Sequence, residues 1–244
     1  MICGLARTHQ IFKTVNHHNR ADRYGAFNIA NLMAIQQRDR VVATMLAKNG
    51  LSDLSGLEIL DVGCGSGGLF LRLMSWGASP ESLHGIDLQT DRVQRARSIH
   101  PKIDVVEGDA AALPWSNERF DLITQFTTFT SISDDLTRKR AAQEIDRVLK
   151  PGALLIWYDF WINPINRATH PIRTSELRRL FPGYGFCVRR TTLAPPIARF
   201  IAPRSQALAS VLQGLWFLLS HLTGVLKKPT DTESRRSGFE ARRQ

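Results

Sequence analysis

The sequence predicts an α/β protein built on a doubly wound sheet, and three observations carry that expectation. Apolar runs of strand length alternate with helical patterns from Leu57 to Trp157, the signature of a mostly parallel sheet. The first run, Ile59-Leu60-Asp61-Val62, leads directly into Gly63-Cys64-Gly65-Ser66-Gly67-Gly68. Glycines placed so let a strand turn tightly and let a ligand touch backbone. The second run, Leu83-His84-Gly85-Ile86, closes on Asp87, about 20 residues past the glycines, where a carboxylate can accept both hydroxyls of a ribose.

Residues 1–27 are polar and show no clean period. Asn28 to Lys48 reads as a helix, because Ile29, Leu32, Met33, Val41, Val42, Met45 and Leu46 recur at three- and four-residue steps, with Gly50 as the stop. Leu57–Val62 is the first strand. A helix is expected from near Ser66 to near Gly77, its start offering unpaired N–H groups. Thr90 or Asp91 caps a helix through Ser98, and Ile103–Glu107 is the third strand. Phe120–Phe126 is the fourth. A helix starting at Asp134 or Asp135 ends at Leu149, before Pro151-Gly152. Ala153–Trp157 is the fifth strand, delivering Tyr158, Asp159, Phe160 and Trp161 to the ligand edge.

Asn163 to Arg173 reads as a proline-interrupted loop, Thr174 caps a helix through Leu180, and Phe186–Thr192 is a sixth strand. Leu193 to Pro203 is a connector. Ala207–Leu226 carries no formal charge over the length of a membrane span. Gln213, Ser220 and His221 interrupt it, and Leu208, Val211, Leu212, Leu215, Leu218, Leu219 and Leu222 make one stripe. We therefore expect an amphipathic helix to about Leu219, then a strand, and no span. Contact of that helix with a lipid surface is a further expectation. Residues 229–244 form a disordered basic tail.

Two nucleotide-type ligands suit the glycine turn. Gly63, Gly65 and Gly68 satisfy the dinucleotide spacing, but Asp61 at the strand end would repel a pyrophosphate. The pattern Asp61-x-Gly63-x-Gly65-x-Gly67 resembles motif I of the class I S-adenosylmethionine (SAM) methyltransferases. Gly108-Asp109-Ala110-Ala111-Ala112-Leu113-Pro114-Trp115 resembles the family's adenine-reading segment. Phe120–Phe126 resembles its fourth strand and Leu149–Ile156 its helix stop and fifth strand, in family order across roughly residues 55–160.

That resemblance implies a Rossmann-like, doubly wound, seven-stranded sheet with a final antiparallel strand at His221–Pro229, and SAM as cofactor. It implies Asp61 for the ammonium group, the turn Gly63, Cys64, Gly65 and Gly67 under the ligand, and Asp87 with Leu88 at the ribose. Asp109 and the Ala110 N–H would read adenine. Because strand ends carry the ligand in doubly wound sheets, Gln125, Phe126 and Thr127 are expected to face the cofactor and the reaction centre. Tyr24, Asn28 and Asn31 would cover the methionine end. No metal site is expected.

Methyl transfer needs positioning more than side-chain chemistry. A hydroxyl acceptor must still lose a proton. His170 is the first candidate base, His17 or His18 the second, and Asp159 could orient the acceptor. The expected reaction is O-methylation of a small-molecule or glycan/lipid-type acceptor. The alternatives are a non-catalytic SAM-binding protein and a nucleic-acid methyltransferase. The latter lacks support at the fourth strand, where Gln125-Phe126-Thr127-Thr128 stands in place of a base-methylation motif.

The 244 residues, 43% hydrophobic, suit one core over 1–228, with a lid at 1–50 and acceptor-side elements at 161–222. Cys3, Cys64 and Cys187 are too scattered for a disulfide framework, and the first residues lack a signal-peptide core. A cytoplasmic protein is expected. The net charge of +10 sits outside the middle of the chain: residues 61–160 carry 11 basic and 14 acidic residues, residues 161–226 eight and one. Such a surface attracts acidic substrates, phosphorylated lipid or nucleic acid, or is simply solvated.

Overall fold

The computed structural model describes residues 25, 27–163, 169–230 and 232–233. Tyr24, His17 and His18 fall outside them, as does most of the tail at 229–244. Seven strands form one sheet: β1 (Ile59–Val62), β2 (Leu83–Asp87), β3 (Asp104–Glu107), β4 (Phe120–Phe126), β5 (Leu149–Phe160), β6 (Gly185–Leu193) and β7 (Leu219–Lys227). Their order is β3-β2-β1-β4-β5-β7-β6. β7 runs antiparallel to both β5 and β6, and the remaining pairs are parallel. β1 and β2 are buried along their whole length, which is why they read as near-continuous apolar runs.

Successive strand residues point to opposite faces, and the core divides accordingly. Leu60, Val62, Leu155 and Trp157 pack with Ile145 and Val148 of α4 (Asp135–Val148) and Leu177 of α5 (Thr174–Leu180). Ile59, Leu154 and Ile156 pack with three other helices. These are α1 (Ile29–Lys48), α2 (Phe70–Ser75) and α3 (Thr90–Ile99). α1 begins where expected: Asn28 Oδ1 accepts the Asn31 N–H at 3.1 Å. A third, smaller cluster joins α1 to α6 (Pro195–Ile201) and α7 (Gln206–Leu212).

Several local expectations change. The helix expected from Ser66 starts at Phe70, because Gly63, Gly65 and Gly67 all have positive φ, which a right-handed helix cannot contain. Gln89, not Thr90 or Asp91, is the cap position of α3; the Thr90 hydroxyl bonds Glu107 instead. Arg173 precedes α5, so Thr174 is its first residue rather than its cap. The connector at Leu193–Pro203 contains α6, with proline at its first positions, where a missing N–H costs nothing. α7 stops at Leu212, and a 3-10 turn at Trp216–Leu218 leads into β7. Among the described residues no helix is long and apolar enough to cross a membrane.

Candidate active site

The carboxyl ends of β1, β2, β4 and β5 meet at one edge, and the glycine turn after β1 lies across it. The turn is stitched to β2: the Gly63 and Cys64 N–H groups both donate to Ile86 O, at 2.8 and 3.0 Å. Asp87 Oδ2 accepts the Gly65 N–H at 2.9 Å, and its Oδ1 accepts that of Gln89 at 2.9 Å. A Cβ on Gly63 would overlap Thr128 Oγ1, and one on Gly67 would lie 2.7 Å from the His100 ring. At Gly65 a Cβ would meet nothing within 4 Å. Of these three glycines, Gly65 is the one whose bare backbone faces open space.

Asp61 is buried behind the turn, and its Oδ1 accepts the Thr124 hydroxyl at 2.7 Å. Burial pushes its pKa up to about 7; nearby Asp87 acts the same way, while the Thr124 hydrogen bond and the Arg38 charge oppose it. A carboxyl held near neutrality by desolvation regains its charge when a cation arrives, so the position fits an ammonium group. Cys64 is buried, and burial with the Asp61 and Asp87 charges drives its thiol well above its usual range. It packs and does not react. Leu88 and Ala110 are half-buried beside these acids. The Gly108 N–H donates to Asp87 O at 3.1 Å, and Asp109 Oδ1 accepts the Ala111 N–H at 2.9 Å. The structure thus brings Asp61, Asp87 and Asp109 to the same edge.

At the end of β4, Gln125 is buried; its Oε1 accepts the Thr128 N–H at 3.2 Å. Its Nε2 makes no hydrogen bond of good geometry, although it sits close enough to help lower Asp159. Phe126 lies 5.4 Å from the Tyr158 ring, and the Arg38 guanidinium from α1 covers both rings at 4.8 and 5.7 Å. Thr127 has φ +60 and is held there by its N–H bond to Tyr158 O at 2.7 Å. A β-branched residue in that region is strained, and strain of this kind concentrates at functional edges.

Asp159 is not placed where it could touch an acceptor. It is fully buried, accepting from the Thr130 hydroxyl and N–H and from the Phe160 N–H. Burial pushes its pKa up to about 7 against those hydrogen bonds. Its role is to hold the Thr130 turn, and the sequence offered no sign of that partner. His170 is half-buried, and its N–H donates to Thr130 O at 3.0 Å. The two expected catalytic residues therefore flank one turn, one inside and one outside. Of the aromatic residues expected at the ligand edge, Tyr158 stacks on His221 of β7 at 4.6 Å and Phe160 lies 3.8 Å from the same ring, while Trp157 before them is fully buried. Asn28 and Asn31 serve the start of α1. Sequence reasoning missed Arg38, Thr124, Thr128 and Thr130. Arg38 sits on the polar side of a periodic helix, where no local signal separates it from an ordinary surface arginine.

Residues 59–152 match the family model described as a methyltransferase domain. The chain is 34% identical over 113 residues to the chloroplastic 2-phytyl-1,4-beta-naphthoquinone methyltransferase of Arabidopsis thaliana, covering 43% of this chain and 42% of that protein. It is 32% identical over 133 residues to phthiotriol/phenolphthiotriol dimycocerosates methyltransferase 1 of Mycobacterium ulcerans, covering 52% and 47%. The matches thus span less than half the length of these two relatives. A SAM-dependent methyltransferase from Mesorhizobium loti has a similar structure, with TM-score 0.56 at 19% identity over 75% of this chain and 95% of that one. At that identity the likeness is one of fold.

Proposed function

We propose that this chain, whose residues 59–152 match a methyltransferase domain and whose sheet is like that of a SAM-dependent methyltransferase, is a class I SAM-dependent enzyme that methylates a hydroxyl of a small-molecule or lipid-type acceptor. The observation that carries this reading is that Asp61, Asp87 and Asp109 meet at one sheet edge beside the glycine turn, where Asp87 holds Gly65 and the Gly65 backbone is open. When bound, SAM supplies an electrophilic methyl group on a sulfonium.

In this reading Asp61 holds the ammonium group and Asp87 the ribose hydroxyls, while Asp109 and the Ala110 N–H meet adenine. Arg38, paired with Asp39 at 2.8 Å, lies over Phe126 and Tyr158 and its charge reaches Asp61, so it would favour a carboxylate at the methionine end. Aligning these groups is the main contribution, worth roughly 7–11 kcal/mol of barrier in well-oriented reactions. His170 accepts the hydroxyl proton, and Asp159 fixes the Thr130 turn beside it. The relatives named above act, by their names, on a naphthoquinone with a phytyl chain and on dimycocerosates, which favours an apolar acceptor.

The test is incubation of the purified chain with methyl-labelled SAM and fractionated cell extract. Label entering the lipid or small-molecule pool is expected. Label in RNA would replace the acceptor class, and tight SAM binding with no transfer to any pool would favour a binding protein. His170→Ala should lower turnover by about 10²-fold or more with SAM affinity unchanged; unchanged turnover removes His170 as the base.

A further inference from the structure

α6 and α7 carry apolar side chains on both the inward and the outward side. Inward, Ala198 of α6, Ala202 just after it and Ala209 of α7 cluster with Ala30 of α1, and Ile197, Ile201 and Leu212 pack half-buried against them. Their outward residues are large and apolar. Phe200 is 61% exposed, Val211 68% and Trp216 65%, and Leu208, Leu215 and Phe217 are exposed beside them. These six fall within residues 200–217, whereas Phe27, Leu71, Ile99, Leu136 and Ile162, the other exposed large apolar residues described, are spread along the chain. A clustered apolar surface of this kind marks an interaction site.

Charge says what the surface meets. The sequence has no acidic residue between Leu177 and Leu226. Arg199 lies on α6, and the Arg204 guanidinium lies 4.2 Å from the Phe200 ring centre. Arg190 stacks 3.7 Å from the Trp161 ring and 4.9 Å from that of Trp216. Phe200 and Trp216 each carry an arginine at the ring face, an arrangement suited to a headgroup layer, where the ring enters the apolar zone and the cation stays at its rim. A second copy of this chain would set the same positive field against itself.

We propose that the surface formed by α6, α7 and the Leu215–Phe217 turn docks on an anionic lipid bilayer. A cavity of about 610 Å³ lined by Trp161, Ile162, Pro171, Arg173, Arg190 and Leu222 opens beside it, sharing Arg190, at the carboxyl end of β5. A membrane-dissolved molecule reaching the docked face therefore meets this cavity first. Docking does not depend on methyl transfer, and its test reads neither turnover nor label.

The full chain is mixed with phosphatidylcholine vesicles with and without phosphatidylglycerol and separated by flotation. It should float with the anionic vesicles and at least about tenfold less with the neutral ones. The combined variant Val211→Ser, Trp216→Ser and Phe217→Ser should float at least about tenfold less with the anionic vesicles. Its circular dichroism and SAM affinity should be unchanged. Failure of the full chain to float overturns the proposal. So does flotation that the triple variant leaves intact, since that would be adsorption by charge alone. A solution dimer that the triple variant dissociates would assign the surface to a second copy and also overturn it.

Discussion

Gly63 and Gly65 share a left-handed backbone, with φ +77 and +56, yet answer to different neighbours. Gly63 makes room for Thr128, whose hydroxyl donates to Val62 O at 2.8 Å. Gly65 faces open space. Gly63→Ala should therefore destabilise by about 2–5 kcal/mol, combining left-handed strain with overpacking. Gly65→Ala should cost only about 1–2 kcal/mol while weakening SAM binding at least tenfold, about 1.4 kcal/mol. Urea unfolding and calorimetry read the two quantities separately. Unchanged SAM affinity in Gly65→Ala would mean the ligand does not approach that backbone. The glycine motif was legible in the sequence, but the division of labour within it was not, because Thr128 comes from the turn after β4, 66 residues beyond Val62.

Arg147 of α4 shows what one helix does for a loop it does not adjoin in sequence. Its Nη1 donates to Trp115 O at 2.8 Å, its Nη2 to Leu113 O at 2.9 Å, and both Nε and Nη2 grip Glu144. Glu144 in turn accepts the Leu113 N–H at 2.8 Å, and Arg147 holds its carboxyl below the usual range. The segment after Asp109 thus hangs from α4. Arg147→Met should cost about 1–3 kcal/mol of stability and raise the SAM dissociation constant; a stability loss with unchanged affinity would detach the loop from adenine binding. The helix itself was readable from its apolar period. Its grip on the loop was not, since both residues look like solvated charges. α6 and α7 were misread differently: proline and a connector-like composition hid one, and the apolar stripe expected on a single helix to Leu219 divides, with Leu208, Val211 and Leu215 exposed while Leu212 and Leu218 pack inward and Leu219 and Leu222 are buried in β7.

At the scale of the whole molecule, stability should carry the imprint of Asp61. Its native pKa of about 7 lies above the ordinary 3.8, so between those values the native state binds more protons than the unfolded state. Stability from this group is complete below about pH 4 and is lost as pH rises toward 7, by a few kcal/mol at most. Asp159 acts in the same direction, and buried His221, lowered to about 3, acts oppositely below pH 6.5. Asp61→Asn should therefore make the urea midpoint rise relative to wild type as pH increases from 4 to 7, without flattening the profile. An unchanged difference between the two proteins across that range would show that Asp61 ionises freely. SAM affinity in the wild type should improve through pH 7, where binding no longer requires removing a proton from Asp61.

By itself the sequence determined the alternating strands and helices, the turn after β1, and the acids that close β1 and β2, because each depends on neighbours a few residues apart. Only the tertiary structure decided that Asp159 is sealed behind Thr130, that Arg38 leans over Phe126 and Tyr158, and that Phe200, Leu208 and Val211 of α6 and α7 face outward. A helix face or a buried charge takes its meaning from what packs against it, and those partners are distant in the chain.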